Sequence, residues 1–143
     1  MGPTTERTRT SPAGGLRLAA VGFAVAAVLH NADHLRRGLG GVTTELQVAG
    51  YAAMALSALA VVVVLVGHRT APIVAVAAGF PLAAGFAASH WLPHWSALSD
   101  PFVDGGAAVV SIVASLLEIA GALWLGAAGL RVLRHDGLAR AAW

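Results

Sequence analysis

The chain has 143 residues, 57% of them hydrophobic and 11% charged, with a formal net charge of +2. Ordinary soluble domains carry roughly a quarter charged residues, so this balance excludes a disordered chain, a coiled coil and a typical globular domain in water. The lack of cysteine removes disulfide frameworks, thiolate metal sites and thiol catalysis together. All nine basic residues are arginine and alanine dominates, a pattern of genome composition rather than of function.

Residues 1–15 hold Pro3, Pro12 and several threonines among Glu6, Arg7 and Arg9. Such a polar segment buries too little apolar surface to order itself, and it lacks the short apolar core and small-residue cleavage site of a signal peptide. It is expected to be a disordered cytoplasmic tail. Four apolar spans follow, at 16–36, 46–67, 71–92 and 106–130. Each is about 20 to 25 residues long, enough to cross roughly 30 Å of hydrocarbon as a helix. Inside lipid, backbone groups must be satisfied within the segment, so even the β-favouring run Val61 to Val64 is expected to be helical. Short loops force neighbouring helices antiparallel. The predicted fold is an all-α integral membrane protein, a four-transmembrane-helix up-down bundle, with residues 135–143 as a cytoplasmic C-terminal tail.

Arginine placement sets the orientation. Arg7, Arg9 and Arg17, then Arg69, then Arg131, Arg134 and Arg140 fall at one end, whereas the third loop holds only Asp100 and Asp104. Both termini are expected to be cytoplasmic in a multi-pass protein of the plasma membrane; Arg36 and Arg37 run against the count. Glycines within the spans suit close helix contacts, and Pro81 is expected to kink the third helix.

The chemistry gathers at one end. His30 and His34 are spaced i, i+4, with Asp33 i+3 from His30, so the three share one face of the first helix. That face continues through Ala26, Phe23 and Ala19, which turns the polar group toward the bundle. Beside them in sequence lies Asn31. His90 ends the third span, and Pro93 stops the helix at Leu92, which puts His94 in a turn. Trp91 and Trp95 fit an interfacial aromatic belt. Asp100 belongs to a turn, and Asp104 is a candidate N-cap of the fourth helix. That helix carries a polar stripe of Ser111, Ser115 and Glu118. Glu118 falls near mid-membrane, where an acid demands a named partner; His30, Tyr51 and Gln47 are the candidates.

Imidazole and carboxylate converging from separate helices form a first-row transition-metal ligand set. Without cysteine, zinc, copper, iron and nickel all remain permitted. The candidate metal residues are His30, Asp33, His34, His90, His94, Asp100 and Glu118, with Asn31, Tyr51, Asp104, Ser111 and Ser115 as supporting polar groups. The segment His30-Asn31-Ala32-Asp33-His34 loosely resembles the histidine and Asp-His signature of nickel/cobalt permeases and hydrogenase-accessory nickel transporters. In those families more residues separate the first histidine from the Asp-His pair, and the proteins have more helices. The resemblance covers five residues and implies metal handling.

Four functions follow as expectations: metal handling or transport, a membrane metalloenzyme, a haem-binding redox protein, and a structural accessory subunit of a larger membrane complex. Haem, with His30 or His34 and His90 as axial ligands and glycines making room for the macrocycle, is the weaker cofactor expectation, because few aromatics lie in the middle of the bundle. The expected partners are the lipid bilayer and a homo-oligomer or larger complex. Scattered arginines without a recognition motif give no support to nucleic-acid binding.

Overall fold

A computed structural model of the chain describes residues 11–38, 41–104 and 106–141, with side chains through Asp136. Four helices succeed one another: α1 (Pro12–Arg37), α2 (Thr44–Leu65), α3 (Ala71–Trp91) and α4 (Val109–Ala141). No strand occurs among the described residues. All four are long and apolar enough to cross a membrane.

The helix ends follow local chemistry. Ser11 caps α1, its hydroxyl accepting from the Gly14 N–H at 3.1 Å, and Pro12 occupies the first turn, where its missing donor costs nothing. The helix therefore starts inside the segment expected to be a tail. The expected disorder of residues 1–10 lies outside the described residues, as do 142 and 143. At the other end of α1, Gly38 takes a φ of 79°, a left-handed value that favours glycine, and its N–H reaches back to the His34 carbonyl. Thr43 caps α2 through the Leu46 N–H. This helix ends at Leu65, two residues short of the expected bound, because Gly67 turns left-handed at a φ of 71°. Pro93 holds the end of α3 where the sequence placed it, and α3 runs through Pro81, whose ring lies on the exposed side.

The fourth helix is corrected at both ends. It begins at Val109 rather than Gly106, after a left-handed Gly106 (φ 88°). It then continues through Leu130 to Ala141, since Arg131 to Arg134 contain no breaker. Asp104 thus sits in an exposed turn ahead of the helix and does not cap it.

Tertiary contacts set the direction of each helix. Arg36, at the end of α1, meets Ser111 at the start of α4. Trp91, at the end of α3, meets Ser115, and Gly129 of α4 lies against Pro72 at the start of α3. Arg17 of α1 lies beside Gly67 after α2. Neighbours therefore run antiparallel. The main packing is of α4 on α1 and α3, while α2 lies against α1 and α3 at the periphery.

Small residues make these contacts close. A Cβ on Gly79 would lie 2.6 Å from the Ala122 carbonyl oxygen and the Gly126 nitrogen, backbone meeting backbone. The half of the bundle holding the α2–α3 turn is almost wholly apolar. Leu16, Ala19, Phe23, Val64, Ala75 and Leu125 fill it, and the buried Ser57 turns its hydroxyl back to the Ala53 carbonyl of its own helix at 2.8 Å. Outside, large apolar side chains such as Val28, Leu35, Val66 and Val109 stand more than two-thirds exposed. A helix bundle in water would not leave so much apolar surface bare.

Candidate metal centre

At the opposite end of the bundle, three imidazoles come together. His30 and His34 project from successive turns of α1, and His90 projects from the last turn of α3. Their ring centroids lie 4.6, 5.0 and 5.7 Å apart, and one donor nitrogen of each lies within 4.8 Å of the other two. His30 and His90 are buried, each about 4% exposed. The third ring, His34, is half-buried.

His90 and His34 each have a partner outside the cluster. The loop after α3 folds back over the helix end: the Asp100 N–H donates to the Ser89 carbonyl and the Phe102 N–H to the His90 carbonyl, both at 2.9 Å. In return, His90 Nδ1 donates to the Asp100 carbonyl at 3.0 Å, which leaves its Nε2 lone pair free. Phe102 stacks on the His90 ring at 4.7 Å and 16°. The two α1 rings meet through their Nε2 atoms at 2.9 Å, and His34 Nδ1 faces the Arg37 guanidinium at 3.0 Å.

Glu118 lies beside this group of three. Burial leaves it about 2% exposed, with Oε2 lying 3.5 Å from His30 Nε2. That oxygen and His30 Nδ1 have no hydrogen-bond partner. A buried unpaired polar atom costs about 1–3 kcal/mol, so a carboxylate oxygen left bare beside imidazoles marks a place where a cation would be welcome.

The acids beside the histidines have a different occupation. Asp33 is buried, and its Oδ1 accepts from Arg36 Nε and an Arg36 terminal nitrogen at 2.9 and 2.7 Å. Its Oδ2 accepts from Arg37 Nε at 3.2 Å. Asp100 Oδ2 accepts from both terminal nitrogens of Arg37 at 3.1 Å. Both carboxylates are thus held by arginine, and Asp100 Oδ2 also lies 3.7 Å from His90 Nδ1. Ser111 also accepts from Arg36, and Ser115 accepts from the Trp91 indole N–H at 3.2 Å, so Trp91 is an internal strut as well as an end-of-helix aromatic.

Several expected residues stand elsewhere. His94 is exposed in the turn after α3 and is no part of the cluster. Tyr51 is 59% exposed on α2, and the part-buried Gln47 donates to the Val42 carbonyl; neither contacts Glu118, since Tyr51 faces outward and the Gln47 amide turns back to the chain before α2. Asn31 donates to the Ala27 carbonyl one turn back on its own helix. Asp104 remains in its exposed turn. Sequence reasoning gave no role to Arg36, Arg37 or Phe102. The spacing of Asp33 to Arg36 and Arg37, i+3 and i+4, was the available signal for the ion pairs. Phe102 carried none, since its position depends on how the loop folds back.

Three imidazoles and a carboxylate suit a divalent transition metal. Tetrahedral zinc at about 2.0–2.1 Å from each nitrogen separates its ligands by about 3.4 Å, between the closest and widest separations of this cluster. Haem does not fit: a macrocycle needs a flat slot between its axial rings, and here the rings contact one another edge to face. No protein-family model, curated protein or solved structure matches the chain.

Proposed function

We propose that this chain is a multi-pass membrane protein that binds a divalent transition metal through His30, His34 and His90, with Glu118 as a fourth donor, for metal handling at one face of the membrane. The observation that carries the reading is the convergence of three imidazoles from α1 and α3 beside a buried carboxylate oxygen with no partner. A cation satisfies that oxygen and the imidazole lone pairs together. His90 already has the outer partner that metal-bound histidines usually have, a carbonyl accepting from the far ring nitrogen.

The membrane part of the reading rests on four long apolar helices and their bare outer surface. The histidine end is assigned to the outer face and both termini to the cytoplasm. Arg17, Arg69, Arg131 and Arg134 fall at the other end, and Arg36 and Arg37, which count against this orientation, are matched by Asp33 and Asp100. The dry cytoplasmic half offers no polar path, which favours capture or storage by one protomer over passage through it.

Elemental analysis of the purified protein, after reconstitution with zinc, copper, nickel or iron(II), tests the assignment. About one metal ion per chain is expected for at least one of these ions, lost in the His34→Ala, His90→Ala double variant. Wild-type protein that stays metal-free, or a double variant that binds as well as wild type, would falsify the assignment.

A further inference from the structure

Arg37 is the residue that the metal-site reading leaves unexplained. An arginine is always a donor and never an acceptor, so its nitrogen 3.0 Å from His34 Nδ1 requires that Nδ1 present a lone pair. Neutral His34 then carries its proton on Nε2, the nitrogen that faces His30 at 2.9 Å. That proton lies on the atom turned toward the cluster, where a ligating histidine must present a lone pair. Metal-bound histidines ordinarily direct the opposite nitrogen, as N–H, to an acceptor. At His34 a cation occupies the acceptor's place.

We propose that Arg37 is a latch: it holds His34 in the tautomer that cannot ligate, and metal loading requires the guanidinium to leave His34 Nδ1. The inference rests on the metal-site reading and deepens it. Asp33 Oδ2 and Asp100 Oδ2 are bound to the same guanidinium that contacts His34, so its departure releases carboxylate oxygens in the neighbourhood of the ring, toward which a new Nδ1–H can turn. The proton balance is neutral: His34 gives up its Nε2 proton, Nδ1 takes one up, and the net change is an exchange of tautomers with solvent as the carrier. Arg37 reaches solvent while Asp33 and Asp100 also hold it, so release exchanges those bonds for water. Its side chain is 24% exposed, and it lies over the face of Phe102, 5.3 Å from the ring centroid, at the mouth of the cluster. Phe102 stacks on His90, so the latch on α1 reaches the α3 histidine through Phe102. The ligand it admits is a bare divalent cation, which a guanidinium beside a donor nitrogen would otherwise repel.

The test is paired. In Arg37→Gln, the side-chain amide oxygen can accept from His34 Nδ1–H, the tautomer that ligation needs. Outer partners of metal-bound histidines change affinity by about 10–100-fold, and Arg37→Gln is expected to bind zinc at least about tenfold more tightly than wild type. Arg37→Lys, which keeps a cation but loses the planar fork, is expected to bind no more tightly than wild type, and the thermal midpoints of both variants in detergent are the control for folding. Nitrogen-15 shifts of His34 in metal-free protein supply the second readout: proton on Nε2 in wild type and Arg37→Lys, on Nδ1 in Arg37→Gln. Equal or weaker zinc affinity in Arg37→Gln, or an Nδ1 proton in metal-free wild type, overturns the latch while leaving the metal site standing. Failure of wild type and both variants to bind any metal overturns the metal reading, and the latch with it.

Discussion

The two halves of α1 solve different problems with the same helix. Its first half buries Leu16, Ala19, Ala20 and Phe23 against alanine, glycine and leucine of the neighbouring helices. Its second half buries His30 and Asp33 among charges and imidazoles. The first half is held by shape: lipid offers no hydrophobic drive between helices, so close approach and dispersion contacts carry association. The second half is held by partners, and partners can be exchanged. The dry half is therefore the scaffold, and the polar half is where an added ion can change the hydrogen bonding.

That contrast breaks or sharpens under four substitutions. The largest effect is expected in the dry half. Gly79→Ala drives a methyl into the Ala122 and Gly126 backbone and should cost about 1–3 kcal/mol, visible as a lowered thermal midpoint in detergent. Gly22→Ala, where the obstacle is the Trp124 ring, should cost less, because that side chain is 41% exposed and can swing aside. Equal losses at the two glycines would show that backbone contact is not what holds the scaffold.

Next comes Glu118→Gln, which keeps the volume and removes the carboxylate. Zinc affinity is expected to fall by about 10-fold or more, read by competition with a chromophoric chelator, without the loss of midpoint seen for Gly79→Ala. Unchanged affinity would remove Glu118 from the ligand set and leave three imidazoles and a water. The smallest effect belongs to His94→Ala. Being exposed in the turn, it should change stability by no more than about 0.5 kcal/mol and leave zinc binding as in wild type. A loss of metal in this variant would draw the 92–104 loop into the site.

The fold was legible because the bilayer simplifies the code. Twenty or so apolar residues without charge have one structure available to them, and short loops then impose the antiparallel order. The helix ends were less legible where side chains did not declare them. Ser11 and Pro12 marked the true start of α1, yet the polar composition before Leu16 concealed it; α4 passed Leu130 because nothing stopped it. At the site, the spacing of His30 and His34 and the placement of His90 were readable from helical periodicity and the up-down order. The partner of Glu118 was readable only as a set of three, and packing decided among them by turning Tyr51 outward and Gln47 back to the Val42 carbonyl.

Sequence alone determined that four apolar helices form, that the histidine-bearing ends of α1 and α3 share one end of the bundle, and that cysteine chemistry is absent. These follow from composition and from periods fixed by the backbone. Tertiary structure alone decided that Arg36 and Arg37 claim Asp33 and Asp100, that Phe102 returns to stack on His90, and that Glu118 Oε2 is left unpaired beside His30. The reason is physical: which of several charged groups pair depends on separations of an ångström or two across different elements, and a one-dimensional pattern does not hold those distances.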